Sequence, residues 1–265
     1  MPPPSIAIPL PASLSTRVHR LPVFKMARLL RAFVHATWLV RRQFPRLSAA
    51  QQQQEIQRWA RRVLAILEVE VACTPLPATA STTLVVCNHL SWLDVLVMQS
   101  LLPAVFVAKS EVQAWPVVGK LAQACATIFV QRASARSARA MVDSAATALA
   151  SGHSVVAFPE GTSSDGSEVL GFHANIFECA IQADCAVLPV TLHYLDRSSG
   201  GPATAAHFID DMTLLSSLRD VLASGTIQAR VHLGAPIHAT GHTRKSLSLQ
   251  AHASVRSQLP GAQHA

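Results

Sequence analysis

Asn88-His89-Leu90-Ser91-Trp92-Leu93-Asp94 joins two different periodicities. Before it stands Thr83-Leu84-Val85-Val86-Cys87, a short apolar run of strand type. After it, Val95 to Leu102 carries a helical pattern. A strand feeding a helix through such a turn is a unit of an open α/β sheet, and such sheets bind ligands at the C-terminal ends of their strands. Ser91 and Asp94 stand as S-x-x-D, which predicts Ser91 as the N-cap and Asp94 in the first helical turn. His89 then lies in the turn, where its ring can fold back onto the Asp94 carboxylate. That pairs a base with a group that orients it. An isolated His and Asp at this spacing reads instead as a turn whose acid favours the helix dipole. The rest of the chain decides between the two.

Working outward, short apolar runs recur at Leu84–Cys87, Val105–Ala108, Ile128–Gln131, Val155–Phe158, Ala186–Leu192 and Ala229–Leu233. Leu67-Glu68-Val69-Glu70-Val71 alternates as a strand with one wet face does. Helical stretches separate most of these runs, near 92–102, 114–124, 134–151, 170–183, 213–223 and 243–258. The alternation predicts one α/β domain over 73–258, with a central mixed sheet flanked by helices and a tail at 259–265. Pro189 inside a strand run suggests an edge strand or a bulge.

The N-terminal part is different. Residues 1–22, rich in Pro and Ser, lack a signal peptide's charged start and continuous apolar core, and are expected to be a disordered leader. Residues 23–42 read as a helix with Lys25, Arg28 and His35 on one stripe, and Met26, Leu29, Leu30, Phe33, Val34 and Trp38 on the other side. Pro45 ends it, and Ser48 with Gln51 offers a capping box for a second amphipathic helix. Residues 23–72 are therefore expected to form a helical hairpin, with neither helix apolar over the roughly 20 residues that crossing a bilayer needs. Residues 1–72 hold 11 Lys+Arg and 3 Asp+Glu, a balance of +8, which leaves −1 for the remainder of a chain whose net charge is +7. A body without a basic face argues against nucleic acid as partner. A basic hairpin carrying Trp and Phe reads either as an amphipathic helix packed on the body or as one lying on an anionic membrane surface without crossing it, and the charge asymmetry favours the membrane. The five cysteines form no C-x-x-C and lie largely in apolar runs, so free thiols are expected. The twelve histidines show no zinc-type spacing, and no metal or bound cofactor is expected.

Four stretches end or follow predicted strands. They are Asn88–Asp94, Ala108-Lys109-Ser110-Glu111-Val112, Ile128-Phe129-Val130-Gln131-Arg132, and Phe158-Pro159-Glu160-Gly161-Thr162. Lys109 and Arg132 fall at strand ends as His89 does, so one base and two cations face the same rim. That suits an anionic substrate whose hydroxyl must lose a proton. Gly161 reads as a place where the backbone approaches a ligand closely, in preference to the alternative of a simple turn.

Taken together, NHxSxxD, the Phe-to-Arg strand, FPEGT and the later Val187-Leu188-Pro189-Val190 strand resemble the glycerolipid acyltransferase family, also called lysophospholipid or PlsC-like acyltransferases. The resemblance covers residues 83–195. It implies an O-acyltransferase that moves an acyl chain from acyl carrier protein or coenzyme A to the free hydroxyl of a lysolipid. His89 would be the general base and Asp94 its partner. Arg132 would hold acceptor phosphate, Lys109 would lie near it, and Glu160, Gly161 and Thr162 would shape the acceptor site. The leading acceptor is then 1-acyl-sn-glycerol-3-phosphate, giving phosphatidic acid, at the cytoplasmic face of a bacterial-type inner membrane. Two positions depart from the family pattern: Ser163 follows FPEGT where Arg is common, and His173 stands where Lys is common. A less cationic site raises lyso-ornithine lipid as the alternative acceptor. An esterase would need a G-x-S-x-G elbow, which the chain lacks. A non-catalytic membrane-binding protein would need only the hairpin and would leave the rim residues idle.

Overall fold

A computed structural model of the chain describes residues 23–74, 82–131, 134–209 and 211–259. The expected leader and most of the expected tail lie outside these residues, as does Arg132.

Strand β1 is Val69–Cys73 and β2 is Thr83–Cys87; helix α3, Leu93–Leu101, follows the turn that β2 enters. The chain continues through β3 (Ala104–Lys109), a 3₁₀ turn, α4 (Val118–Ala124), β4 (Ile128–Val130), α5 (Ala135–Ala150) and β5 (Ser154–Ala157). A long loop then leads through a 3₁₀ turn at Ala174–Phe177 to α6 (Glu178–Gln182) and β6 (Ala186–Asp196). Helix α7 (Leu214–Ala223), β7 (Ile227–Leu233), β8 (Ile237–His238) and α8 (Arg244–Ser257) complete the body. Ahead of β1 lie α1 (Val23–Arg42) and α2 (Ala49–Ile66).

The strands form one eight-stranded sheet in the order β1-β7-β6-β2-β5-β3-β4, with β8 paired to β6. Strands β2, β5, β3 and β4 run parallel to their neighbours, and so does β6 to β2. Strand β7 reverses direction against β6, so the sheet is mixed as the alternation predicts. The four parallel strands therefore end on one rim, where Cys87, Ala157, Lys109 and Val130 are their last residues.

Both faces of the sheet are covered, which explains why the central strands are apolar without alternation. Leu84 and Val86 face a core built with Val142, Ala145 and Leu149 of α5, Phe177, and Leu247 and Ala251 of α8. Val85 and Cys87 face a core built with Leu93, Val97 and Met98 of α3 and Ala60, Val63 and Leu64 of α2.

Pro189 corrects one expectation. It lies in β6, which is an interior strand, and its Cα partner in β2 is Val86. On the other side of β6, β8 pairs Ala186 and Val187 while β7 pairs only from Val190 onward. Pro189 thus falls between two partners, where no ladder N–H is needed. Its carbonyl still accepts from the Gly234 amide at 2.8 Å.

The N-terminal helices do form a hairpin, but its inner face belongs to the body. Leu29 and Ala32 of α1 lie in the same core as α2 and α3. Trp59 Nε1 donates to the Ala32 carbonyl at 3.1 Å, and its ring meets Phe33 edge to face at 5.3 Å. Arg61 Nε of α2 donates to the Ser100 carbonyl near the end of α3. Lys25 bonds Glu68 at 2.8 Å. Ser48 and Gln51 make both bonds of the expected capping box. The apolar side of α1 is therefore divided: Leu29 is buried, while Phe24, Leu30, Val34 and Trp38 are exposed. Strand β1 spans residues 72 and 73, where the sequence places the boundary between hairpin and body.

Candidate functional site

The turn after β2 is held by a buried carboxylate. Asp94, with no exposed surface, sits in the first turn of α3. Its Oδ2 accepts from the backbone amides of Leu90 at 2.7 Å and Ser91 at 2.9 Å, and lies 2.8 Å from Nδ1 of His89. Its Oδ1 accepts from the Tyr194 hydroxyl of β6 at 2.7 Å. The turn folds the His89 ring back onto Asp94, as the sequence leads one to expect. Part of the imidazole remains accessible, with 22% of the side chain exposed. Because Nδ1 is committed to Asp94, Nε2 is the nitrogen left for chemistry. The ring also stacks on Phe158, with centroids 4.4 Å apart.

The capping-box expectation is half right. The Asp94 side chain does accept the Ser91 amide, but Trp92 is the N-cap and no side chain caps it. Ser91 Oγ is buried and makes no hydrogen bond among the described residues. The Asp94 amide, which a capping Ser91 hydroxyl would accept, donates instead to the Ser91 carbonyl at 3.1 Å.

Asn88 fixes the turn to the sheet. Its side-chain amide donates to the Leu192 carbonyl at 2.9 Å and accepts from the Leu192 amide at 2.8 Å. This pair takes over where the β2–β6 ladder ends, at Cys87 and Val190.

Glu160 is also buried, at 5% exposure. Its Oε1 accepts from the His89 amide at 2.7 Å, and its Oε2 from the Leu170 amide at 2.8 Å. Burial raises its carboxyl above the ordinary range, while these two amide bonds pull it back down. Both oxygens are thus engaged by backbone, so Glu160 ties the FPEGT loop to the His89 turn. Gly161 has φ +69°, and a Cβ there would stand 3.1 Å from the His173 ring. The glycine answers both a left-handed backbone and a ring packed against it. Thr162 is exposed, and Ser163 Oγ donates to the Phe208 carbonyl. Lys109 ends β3 on the same rim, partly buried.

Sequence reasoning missed Tyr194, Phe158 as a stacking partner, and His207. The expected strand stops at Leu192, whereas β6 runs to Asp196 and carries Tyr194 to Asp94. His207 lies in the loop whose Phe208 amide bonds the Leu90 carbonyl at 2.9 Å. Burial lowers its imidazole from the usual value, and the nearby carboxylates of Asp165 and Asp94 oppose that. Among the described residues no cluster of three or more His, Cys, Asp or Glu is placed to hold a metal ion. All five cysteines are free thiols.

The arrangement is a carboxylate-oriented imidazole on an accessible rim, the equipment for taking a proton from a hydroxyl. A family model described as Acyltransferase matches residues 68–193. The chain is 35% identical over 228 residues to a lyso-ornithine lipid O-acyltransferase of Pseudomonas aeruginosa, covering 85% of this chain and 87% of that one. It is 36% identical to a 1-acyl-sn-glycerol-3-phosphate acyltransferase of Neisseria meningitidis, over 64% of this chain and 67% of that one. The crystal structure of the 1-acyl-sn-glycerophosphate acyltransferase PlsC from Thermotoga maritima superposes with a TM-score of 0.65 at 20% identity, covering 92% of this chain and 98% of that one. This last likeness concerns the fold.

The Glu160 clamp has a measurable consequence. Glu160→Gln keeps the shape but replaces one acceptor oxygen with an NH₂ that faces a backbone N–H. The expected loss is about 1–3 kcal/mol of stability, read as a lowered midpoint in urea unfolding. A midpoint equal to that of the unchanged chain would show that the two amide bonds do not hold the loops.

Proposed function

The chain belongs to the acyltransferase family and is an O-acyltransferase, and from that premise we propose that it acylates the free hydroxyl of a lysolipid with His89 as general base. The observation that carries the reading is the 2.8 Å contact between His89 Nδ1 and the fully buried Asp94. A thioester of acyl carrier protein or coenzyme A is already activated, so no nucleophilic side chain is required. Nε2 of His89 takes the hydroxyl proton as the lipid oxygen attacks the thioester carbonyl. The C–S bond breaks, and the imidazolium returns its proton to the departing sulfur. Asp94 fixes the tautomer and stabilises the imidazolium. General-base assistance of this kind is worth roughly 10²–10⁴-fold.

For the acceptor, Lys109 at the rim supports a phosphomonoester and hence 1-acyl-sn-glycerol-3-phosphate, with Arg132 as the second cation of that reading. Other features favour lyso-ornithine lipid. Ser163 spends its hydroxyl on the Phe208 carbonyl and brings no charge. Asp165, held below the ordinary carboxyl range chiefly by the Ser167 hydroxyl and amide, is an exposed anion that suits an ammonium group. The lyso-ornithine relative from Pseudomonas also matches the chain over most of its length. We therefore place lyso-ornithine lipid ahead of the phosphomonoester.

The membrane would be met by the hairpin. Leu30, Val34 and Trp38 recur along α1 at helical spacing and are exposed, beside Arg31 and Arg42. No helix among the described residues is long and apolar enough to cross a bilayer. The reading is an α1 that lies in the interface of the cytoplasmic leaflet of the inner membrane, with residues 73–258 as the catalytic domain.

Three measurements test these readings. His89→Ala should remain folded and lose several orders of magnitude in thiol release from the acyl donor, and Asp94→Asn should be nearly as severe; a folded His89→Ala protein with normal turnover would sink the mechanism. Comparing kcat/KM for the two acceptors in mixed micelles should favour lyso-ornithine lipid. A strong preference for the phosphomonoester that persists in Ser163→Arg would reverse that order. Full-length protein should co-sediment with anionic vesicles, less so at high salt and least for Val34→Asp/Trp38→Asp. Equal sedimentation of both proteins would remove α1 from the membrane contact.

A further inference from the structure

We propose that Tyr194 is a positioning residue for the reaction, its hydroxyl setting how tightly Asp94 holds His89. The proposal rests on the reading of His89 as the base. Three donors reach Asp94 Oδ2: the His89 ring and the amides of Leu90 and Ser91. The Tyr194 hydroxyl donates to Oδ1 at 2.7 Å. Tyr194 is 2% exposed and Asp94 not at all, so the bond is shielded from bulk solvent.

The strand makes the delivery rigid. Leu192 and Tyr194 point from β6 into the same core as α3, and Asn88 clips the Leu192 backbone to the His89 turn. Burial, and then the charge of Asp94, push the Tyr194 phenol well above its ordinary value, so it remains an O–H donor at working pH.

A hydrogen bond to a carboxylate stabilises its charge and makes it a weaker base. With Tyr194 in place, Asp94 orients His89 without gripping its protonated form more tightly than the reaction needs. Without it, the carboxylate would favour the imidazolium, and the base would be occupied by a proton at higher pH. Other titratable groups face this pair. Glu160 bonds the His89 amide, His207 feels the Asp94 charge from the loop before α7, and the Cys87 thiol lies beneath. Burial, with Asp94 and Glu160 adding to it, holds that thiol protonated well above its ordinary value. None of these three bonds Oδ1.

Tyr194 is the one tyrosine of the chain, so growth on 3-fluorotyrosine alters this residue alone. Fluorination makes the phenol a stronger donor, while Tyr194→Phe removes the donor. The acid limb of kcat/KM against pH should move up by about half a unit or more in Tyr194→Phe, and down in the fluorinated protein. KM for the lysolipid should stay the same in both. A residue that merely fills space would not shift the limb in opposite directions. Acid limbs that superimpose, or that move the same way in both proteins, would overturn the proposal. If Tyr194→Phe fails to fold, the fluorinated protein decides alone: an unmoved limb overturns it. His89→Ala, run alongside, separates the two readings. Retained turnover there removes the base and this proposal with it; lost turnover beside unmoved limbs removes this proposal only.

Discussion

A carboxylate with no exposed surface must be surrounded by donors or it will not stay charged. Asp94 meets that condition with two amides, an imidazole and a phenol. The donors come from separate parts of the chain, so the requirement organises them. The two amides curl the turn after β2, the imidazole is drawn over the rim, and the phenol requires β6 to lie beside β2 in one register. Asn88 enforces that register after the ladder itself has ended. The fold around the site can thus be understood as the means of burying one negative charge without leaving it unpaired.

Glu160 repeats the principle one strand away. It binds the His89 amide on one side and the Leu170 amide on the other, so the loop after β5 and the turn after β2 move together. His89 is then fixed on several sides: by Asp94 at its ring nitrogen, by Phe158 at its ring face, and by Glu160 at its backbone. An imidazole held this firmly has little freedom left to lose, and preorganised sites gain rate in that way.

Much of this was legible in the sequence. The β2 run, the turn and α3 were readable because strand and helix periods differ and meet at Asn88. The pairing of His89 with Asp94 was readable because few side chains can fold back across one turn. Tyr194 was not readable, because its partner lies a hundred residues away and nothing local marks the phenol. Pro189 was misplaced for a similar reason: the gap between β8 and β7 is a property of the assembled sheet. The acceptor role drawn for Glu160 came with its motif, whereas its two amide bonds depend on loops that meet only in three dimensions. Ser91 shows a local rule half kept, since Asp94 accepts the Ser91 amide while its own amide donates to the Ser91 carbonyl instead of the hydroxyl.

Helix α3 carries Asp94 in its first turn and near its other end receives the Arg61 side chain of α2. Its apolar residues share one core with Ala60, Val63 and Leu64 of α2 and with Leu29 and Ala32 of α1. The hairpin is consequently no detachable tether. Shortening the chain to begin at β1 would strip one wall from the core beneath the His89 turn, exposing the sides of α3 that now meet α2. Evolutionary exchange of the hairpin for some other segment would meet the same obstacle, because any replacement must inherit its inner face. The outer face, where Leu30, Val34 and Trp38 are exposed, is free of that constraint.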